Sequence, residues 1–225
     1  MKIYLSPSTQ ENNIGKGEYG TEEKRMNQLT DIIEVRLKRY GHEIFRNTPT
    51  MTLKQAVADS NKHNPDIHVA IHSNASTGKA RGAVVFCYKF GGEGERLARA
   101  IYNELEKVTP TKDLGVRESN NHFGIGKPLY ETAYTHAPAA LIEVDFHDHP
   151  EGAKWILENM NEIATAIVTG INNYAGVDND INGEYKKVIQ SHCKFSDPEG
   201  VWNFFDTYHY AHDLYKKIAA GCRKE

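Results

Sequence analysis

Residues 66–74 run Asp-Ile-His-Val-Ala-Ile-His-Ser-Asn between Asn64-Pro65 and Gly78, and this stretch constrains the chain most. Ile67, Val69 and Ile71 alternate with His68, Ala70 and His72, and turn-forming residues bound the run on both sides; this is the pattern of a short, largely buried strand. His72 falls at its carboxyl tip. In open α/β sheets the crevice beyond the strand carboxyl ends is where ligands bind, so His72 stands where chemistry is usual. The bland alternative, a core histidine bonded to a backbone carbonyl, is the better reading for His68, inside the strand.

Around this strand the hydrophobic period alternates between two and about 3.6. Lys2–Ser6 reads as a first strand, followed by a polar loop with Gly15, Gly17 and Gly20. A helix follows from about Glu22 to Tyr40, with Thr21 as N-cap, Gly41 as stop, and Met26, Leu29, Ile33 and Leu37 as its apolar stripe. A strand over 42–47, a helix over 53–63, a strand over 82–89 and a helix over 92–108 continue the alternation. Residues 109–136 read as a long loop with short elements, Ala137–Glu143 as a buried strand, and Pro150–Tyr174 as one long helix. The expected fold class is α/β, a mixed, mostly parallel sheet covered by helices on both faces. Residues 1–176 form the main domain, 177–183 an Asp- and Asn-rich linker, and 184–225 a small all-helical C-terminal unit crowded with Trp202, Phe204, Phe205, Tyr208, Tyr210 and Tyr215. That unit either packs on the first domain, pairs two chains into a homodimer, or offers its aromatics to a ligand.

Charge and cysteine content exclude several classes. A net charge of −3 with no run of Lys or Arg makes no electrostatic case for nucleic acid. No apolar stretch is long enough to span a bilayer, and the apolar start is too short for a signal peptide, so a cytoplasmic product is expected. Cys87, Cys193 and Cys222 are odd in number and widely spaced, which supports neither a disulfide framework nor a thiolate zinc site.

Three ionisable residues carry the chemical argument. Glu22 is four residues before Met26 and so belongs to the inward face of its helix, where a carboxylate must be paired, hydrogen-bonded or bound to a metal; the commonplace reading is an acid complementing the helix dipole. Glu143 closes the apolar run 137–142, with Asp145, His147 and His149 just beyond. With parallel strands, Glu22, His72 and Glu143 converge at one edge. His and Glu are zinc ligands, and an open zinc position activates a water. A further carboxylate free of the metal can carry that water's proton to a leaving nitrogen, and burial raises its pKa toward neutrality.

The succession of the first strand and polar loop, Thr21-Glu22 opening a helix that ends at Gly41, Ile71-His72-Ser73-Asn74-Ala75, and Pro138-Ala-Ala-Leu-Ile-Glu143-Val-Asp-Phe146 resembles the zinc-dependent N-acetylmuramoyl-L-alanine amidases of the amidase-3 type, phage endolysins of Gram-positive hosts among them. The resemblance covers about residues 1–176. It implies Glu22 and His72 as Zn2+ ligands, Glu143 as catalytic acid/base, and peptidoglycan as substrate, cut at the amide between N-acetylmuramic acid and L-alanine. Asn74 is a candidate for orienting substrate, a turn role being equally open. The family's Gly-His-Gly stretch after the first strand is replaced here by Ser6-Pro7-Ser8-Thr9-Gln10. Either Gln10 supplies a third ligand through its amide oxygen, or His147, His122 or Asp145 fills the place. Absence of a signal peptide fits an endolysin or autolysin that acts on the wall after release. A zinc peptidase or carboxypeptidase acting on stem peptides uses the same residue types, and a metal-free wall-binding module is the non-enzymatic alternative.

Overall fold

A computed structural model describes residues 1–111, 114–179, 189–190, 215 and 217–220. Contacts divide the chain into two units, Met1–Val177 and Asp178–Glu225. In the second unit residues 189–190, 215 and 217–220 are helical; the rest of the expected helical unit, most of the expected linker and the proposed dimer contacts lie outside the described residues.

The first unit contains β1 (Lys2–Pro7), α1 (Glu22–Arg39), β2 (Glu43–Arg46), α2 (Leu53–His63), β3 (Ile67–Asn74), β4 (Val84–Cys87), α3 (Glu93–Leu105), β5 (Gly115–Glu118), α4 (Tyr130–Tyr134), β6 (Ala139–Phe146), α5 (Pro150–Glu158) and α6 (Met160–Ala175). The six strands form one sheet in the order β2-β1-β3-β6-β4-β5. Pairings from β2 through β6 are parallel, β4 runs antiparallel to β6, and β5 is parallel to β4. This is the mixed, mostly parallel sheet that the alternation of periods implies.

Strand alternation sends Ile3, Leu5, Ile67, Val69, Ile71, Ile142 and Val144 to one face, where they pack with α1, α3 and α6 in the main core. The other face carries Ala70, Val84, Phe86 and Leu141 in a smaller cluster with Leu114 and Leu129; α2 and α4 pack on that side of the sheet. Ser6, His68, His72 and Glu143 belong to this second face by register: Tyr4 pairs with His68, Ser6 with Ala70, and His72 with Glu143. The polar residues thus sit where the helical cover is thinner.

Local signals set the helix starts. Thr21 accepts the Lys24 N–H and opens α1, and Thr52 with Gln55 forms a capping box for α2. The single helix expected over Pro150–Tyr174 is instead two. Asn159 adopts φ −121° and ψ 21°, its backbone N–H caps Trp155 O, and its side-chain amide donates to the same carbonyl at 2.8 Å. A short amide side chain that competes for backbone carbonyls interrupts a helix whose apolar period runs on unbroken.

Gly170 of α6 lets that helix approach α3 closely: a β-carbon there would lie 2.5 Å from Ile101 Cα and 2.7 Å from Ala100 O. Neither neighbour is a flexible side-chain end. Gly170→Ala is expected to destabilise the fold by about 1–3 kcal/mol through overpacking, read as a lower urea midpoint at unchanged slope.

Candidate active site

The carboxyl ends of β1 and β3 and the start of α1 meet at one edge, and β6 brings Glu143 there beside His72. His72 lies at the centre. Its Nδ1 is 2.9 Å from Glu22 Oε1 and its Nε2 is 3.1 Å from Glu131 Oε2, so the ring is held between two carboxylates. Glu22 is 1% and Glu131 3% exposed, and buried carboxylates persist only when paired and hydrogen-bonded.

Each carboxylate has further partners. Glu22 Oε1 also faces the Ser73 N–H at 3.4 Å, and Oε2 accepts from Asn13 Nδ2 at 2.6 Å. Glu131 Oε1 accepts the Ser6 hydroxyl and lies 3.3 Å from His68 Nε2. His68 Nδ1 is in turn 2.9 Å from Ser60 Oγ, and its ring stacks on Tyr4. The network continues from Asn13, whose Oδ1 is 3.0 Å from His147 Nε2, to Ser73 and Tyr19.

This arrangement fixes the charges. Burial works to raise the carboxyls of Glu22 and Glu131, but the hydrogen bonds and charge of His72, joined by His68 at Glu131 and by Ser8 and Asn13 at Glu22, hold both below the usual carboxylate range. Burial pushes the His72 imidazole down, and its hydrogen bonds to Glu131 and Glu22 overcome that and hold it well above its ordinary value. Glu143 behaves oppositely. Burial, with the negative charges of Glu22 and Glu131, outweighs the attraction of His72 and raises its carboxyl to about 8. One of its oxygens, Oε2, is buried without a hydrogen-bond partner.

A groove of about 480 Å³ opens over the site. Ser8, Thr9 and Gln10 line one side, His122, Phe123 and Leu129 another, and His72, Glu131 and Glu143 contribute to its lining. Its lining combines apolar side chains such as Leu53, Leu129 and Leu141 with the polar groups that converge on the strand edge, as ligand clefts do.

Of the residues singled out from sequence, the structure brings Glu22, His72 and Glu143 together. Gln10 lies exposed on the rim of the groove, its backbone N–H donating to Ser8 Oγ at 3.2 Å. Asn74 turns its Oδ1 back to the Ala75 N–H, a turn contact. His147 is fully buried between Ser73 and Asn13 and stacks on Tyr19. Asp145 is taken up by Arg81 and the Gly82 N–H, and His122 packs edge-on against Phe86. Glu131, which grips the other edge of the ring, carries no mark in the sequence. It lies in a five-residue helix inside an irregular stretch, where neither period nor spacing marks an inward face.

As a cation site the donor set fits in part. Zinc bonds to nitrogen and oxygen are about 2.0–2.2 Å, so neighbouring ligands on a tetrahedral ion stand about 3.3 Å apart. Glu22 Oε1 and His72 Nδ1 stand 2.9 Å apart as a hydrogen-bonded pair, so an ion there would take the place of the proton between them. Among the described residues, no group of three or more His, Cys, Asp or Glu is arranged to hold a metal ion. Glu131 meets the opposite edge of the imidazole, so a third donor for the Glu22 edge must come from elsewhere.

Known proteins place this geometry in context. An uncharacterized protein YqiI of Bacillus subtilis strain 168 is 31% identical over 129 residues, covering 55% of this chain and 58% of its own length. An uncharacterized protein of Clostridium perfringens is 26% identical over 152 residues, covering 64% of this chain and 43% of its own. The chain thus spans about half the length of these relatives. The catalytic domain of CwlV, an N-acetylmuramoyl-L-alanine amidase of Bacillus (Paenibacillus) polymyxa, superposes with a TM-score of 0.69 at 19% identity, over 79% of this chain and 99% of that one. An N-acetylmuramoyl-L-alanine amidase of Clostridium difficile 630 gives 0.68 at 20% identity, over 78% and 96%. These likenesses establish a shared fold. The family described as N-acetylmuramoyl-L-alanine amidase matches residues 3–173, and this chain belongs to that family.

Proposed function

We propose that the protein is a peptidoglycan hydrolase that cuts the amide between N-acetylmuramic acid and the L-alanine of the stem peptide, with Glu143 as acid/base at a zinc site held by Glu22 and His72. The observation that carries this reading is Glu143 itself: a buried carboxyl with a free oxygen, facing a groove and paired in register with a histidine already gripped by Glu22. Family membership supports the substrate class.

Glu22 and His72 would hold the ion, with Gln10 proposed as a third, weaker donor from the loop after β1. Bound there, zinc supplies Lewis-acid polarisation of the scissile carbonyl. The remaining chemistry belongs to the chain. Glu143 takes a proton from the water that attacks the amide carbonyl, a carbon–oxygen bond forms, and the same carboxyl returns the proton to the alanine nitrogen as the carbon–nitrogen bond breaks. A carboxyl with a pKa near neutrality serves both transfers, since it neither holds its proton too tightly nor releases it too freely. The groove walls exclude bulk water and orient the peptide on one side of the lactyl group; Asn74, at the tip of β3, is proposed to assist through substrate contact.

Three outcomes follow. Glu143→Gln should lower wall hydrolysis by about 10²–10⁴-fold while leaving sedimentation with purified walls unchanged, and the wild type should release new L-alanine amino termini without cutting other stem-peptide bonds. Equal turbidity loss by wild type and Glu143→Gln would remove Glu143 from the mechanism. A neutral amide is a poor zinc ligand, so dialysis against a chelator should strip the metal readily; metal content that survives prolonged chelation counts against Gln10. The third outcome concerns pH. The folded metal-free protein keeps a proton on Glu143 up to about pH 8, whereas the unfolded chain loses it near the ordinary glutamate value. Stability contributed by this position is therefore present at low pH and is lost as pH rises from roughly 4.5 to 8. In urea unfolding at pH 5 and pH 8, Glu143→Gln should shrink the difference seen for wild type.

A further inference from the structure

The Glu131 carboxylate is braced by two side chains besides His72. Ser6 of β1 donates its hydroxyl to Oε1, His68 of β3 stands 3.3 Å from the same oxygen, and His68 is itself braced by Ser60 of α2 at 2.9 Å and by stacking on Tyr4 at 5.4 Å between ring centroids. What this bracing presents is Oε2, 3.1 Å from His72 Nε2. A buried charge retained only for neutrality would need His72 alone. Ser6, His68 and Ser60, at 2%, 0% and 0% exposure, add fixed direction.

Direction matters because an imidazole has two unlike edges. A ring that gives its Nε2–H to a fixed acceptor has its plane and flip state set, and Nδ1 is then the atom turned to Glu22. We propose that Glu131 is the positioning residue for His72: it accepts the Nε2–H, locks the ring, and leaves Nδ1 as the atom offered to a cation beside Glu22. The cation part rests on the zinc reading above; the ring-holding part does not. Carboxylates behind ligating histidines orient the ring and strengthen it as a donor, and their loss typically costs 10–100-fold in metal affinity.

The test compares wild type, Glu131→Gln and Glu131→Asp as full-length chains with 15N-labelled histidine. Long-range proton–nitrogen spectra of the metal-free and zinc-titrated proteins show which His72 nitrogens carry protons in each state, competition against a chromogenic chelator gives zinc affinity, and thermal melting reports the fold. Wild type should keep a slowly exchanging Nε2–H in both states and bind zinc through Nδ1. Glu131→Gln should lose the slow exchange of that proton and bind zinc about 10–100-fold more weakly, with Glu131→Asp intermediate. Should Glu131→Gln fail to fold, Ser6→Ala, which removes only the hydroxyl bracing Oε1, should shift the same proton signal and weaken zinc by a smaller factor. Zinc bound through Nε2, or a Glu131→Gln protein with wild-type zinc affinity and an unchanged His72 spectrum, overturns the inference. A wild type that takes up no zinc, yet loses Nε2–H protection on Glu131→Gln, upholds Glu131 as the ring holder and overturns the zinc reading instead.

Discussion

The grip of two buried carboxylates on one imidazole is the interaction on which this site depends. Neither Glu22 nor Glu131 could remain ionised at 1% and 3% exposure without a shared positive partner, and His72 supplies it to both. The mutual pairing explains why the three groups depart from their ordinary pKa values in opposite directions, the carboxyls down and the imidazole up. It also explains Glu143. A third carboxyl brought into the same field meets two negative charges and one positive, in addition to its own burial, and so retains its proton into the neutral range. One local arrangement therefore yields two kinds of carboxyl, two held ionised by the imidazole and one that keeps its proton into the neutral range.

Sheet topology makes the arrangement attainable. Parallel pairing of β1, β3 and β6 brings their carboxyl ends to one edge, and the register of His72 with Glu143 places these two side chains on neighbouring strands and on the same face. The thick helical layer of α1, α3 and α6 covers the opposite face. Only α1 reaches across to the site, by its first residue. The Thr21 cap fixes where that helix begins, and hence where Glu22 points.

What could be read from the chain was whatever leaves a periodic trace. Ile67, Val69 and Ile71 announce a buried strand ending at His72, the run before Glu143 announces a second, and the four-residue spacing from Glu22 to Met26 marks an inward carboxylate. Direction leaves no such trace: period-two alternation reads the same in either sense, so nothing in Val84–Cys87 told that this strand runs antiparallel to β6. Glu131 was hidden for a related reason. Its helix is five residues long, too short to display a face, and its partners Ser6 and His68 lie 125 and 63 residues away in sequence. His68 was legible as a core residue, but not as a brace, because its partners are side chains that only tertiary structure supplies.

The reversed strand has a result of its own. Because β4 runs against β6 and β5 follows it, their carboxyl ends point away from the edge where Glu22, His72 and Glu143 meet, and the segment after β5 loops out and returns to its own start, the Leu129 N–H donating to Ser119 O at 3.2 Å just before α4, so that His122, Phe123 and Leu129 wall the groove. Its turn is closed by its own hydrogen bonds, such as Phe123 N–H to Lys127 O and Gly126 N–H to Asn121 Oδ1, with Ile125 projecting at the tip. The breadth of the cleft and the charge at its floor are thus written in separate parts of the gene. Lengthening or trimming this one turn can change what the groove admits without moving Glu22, His72 or Glu143.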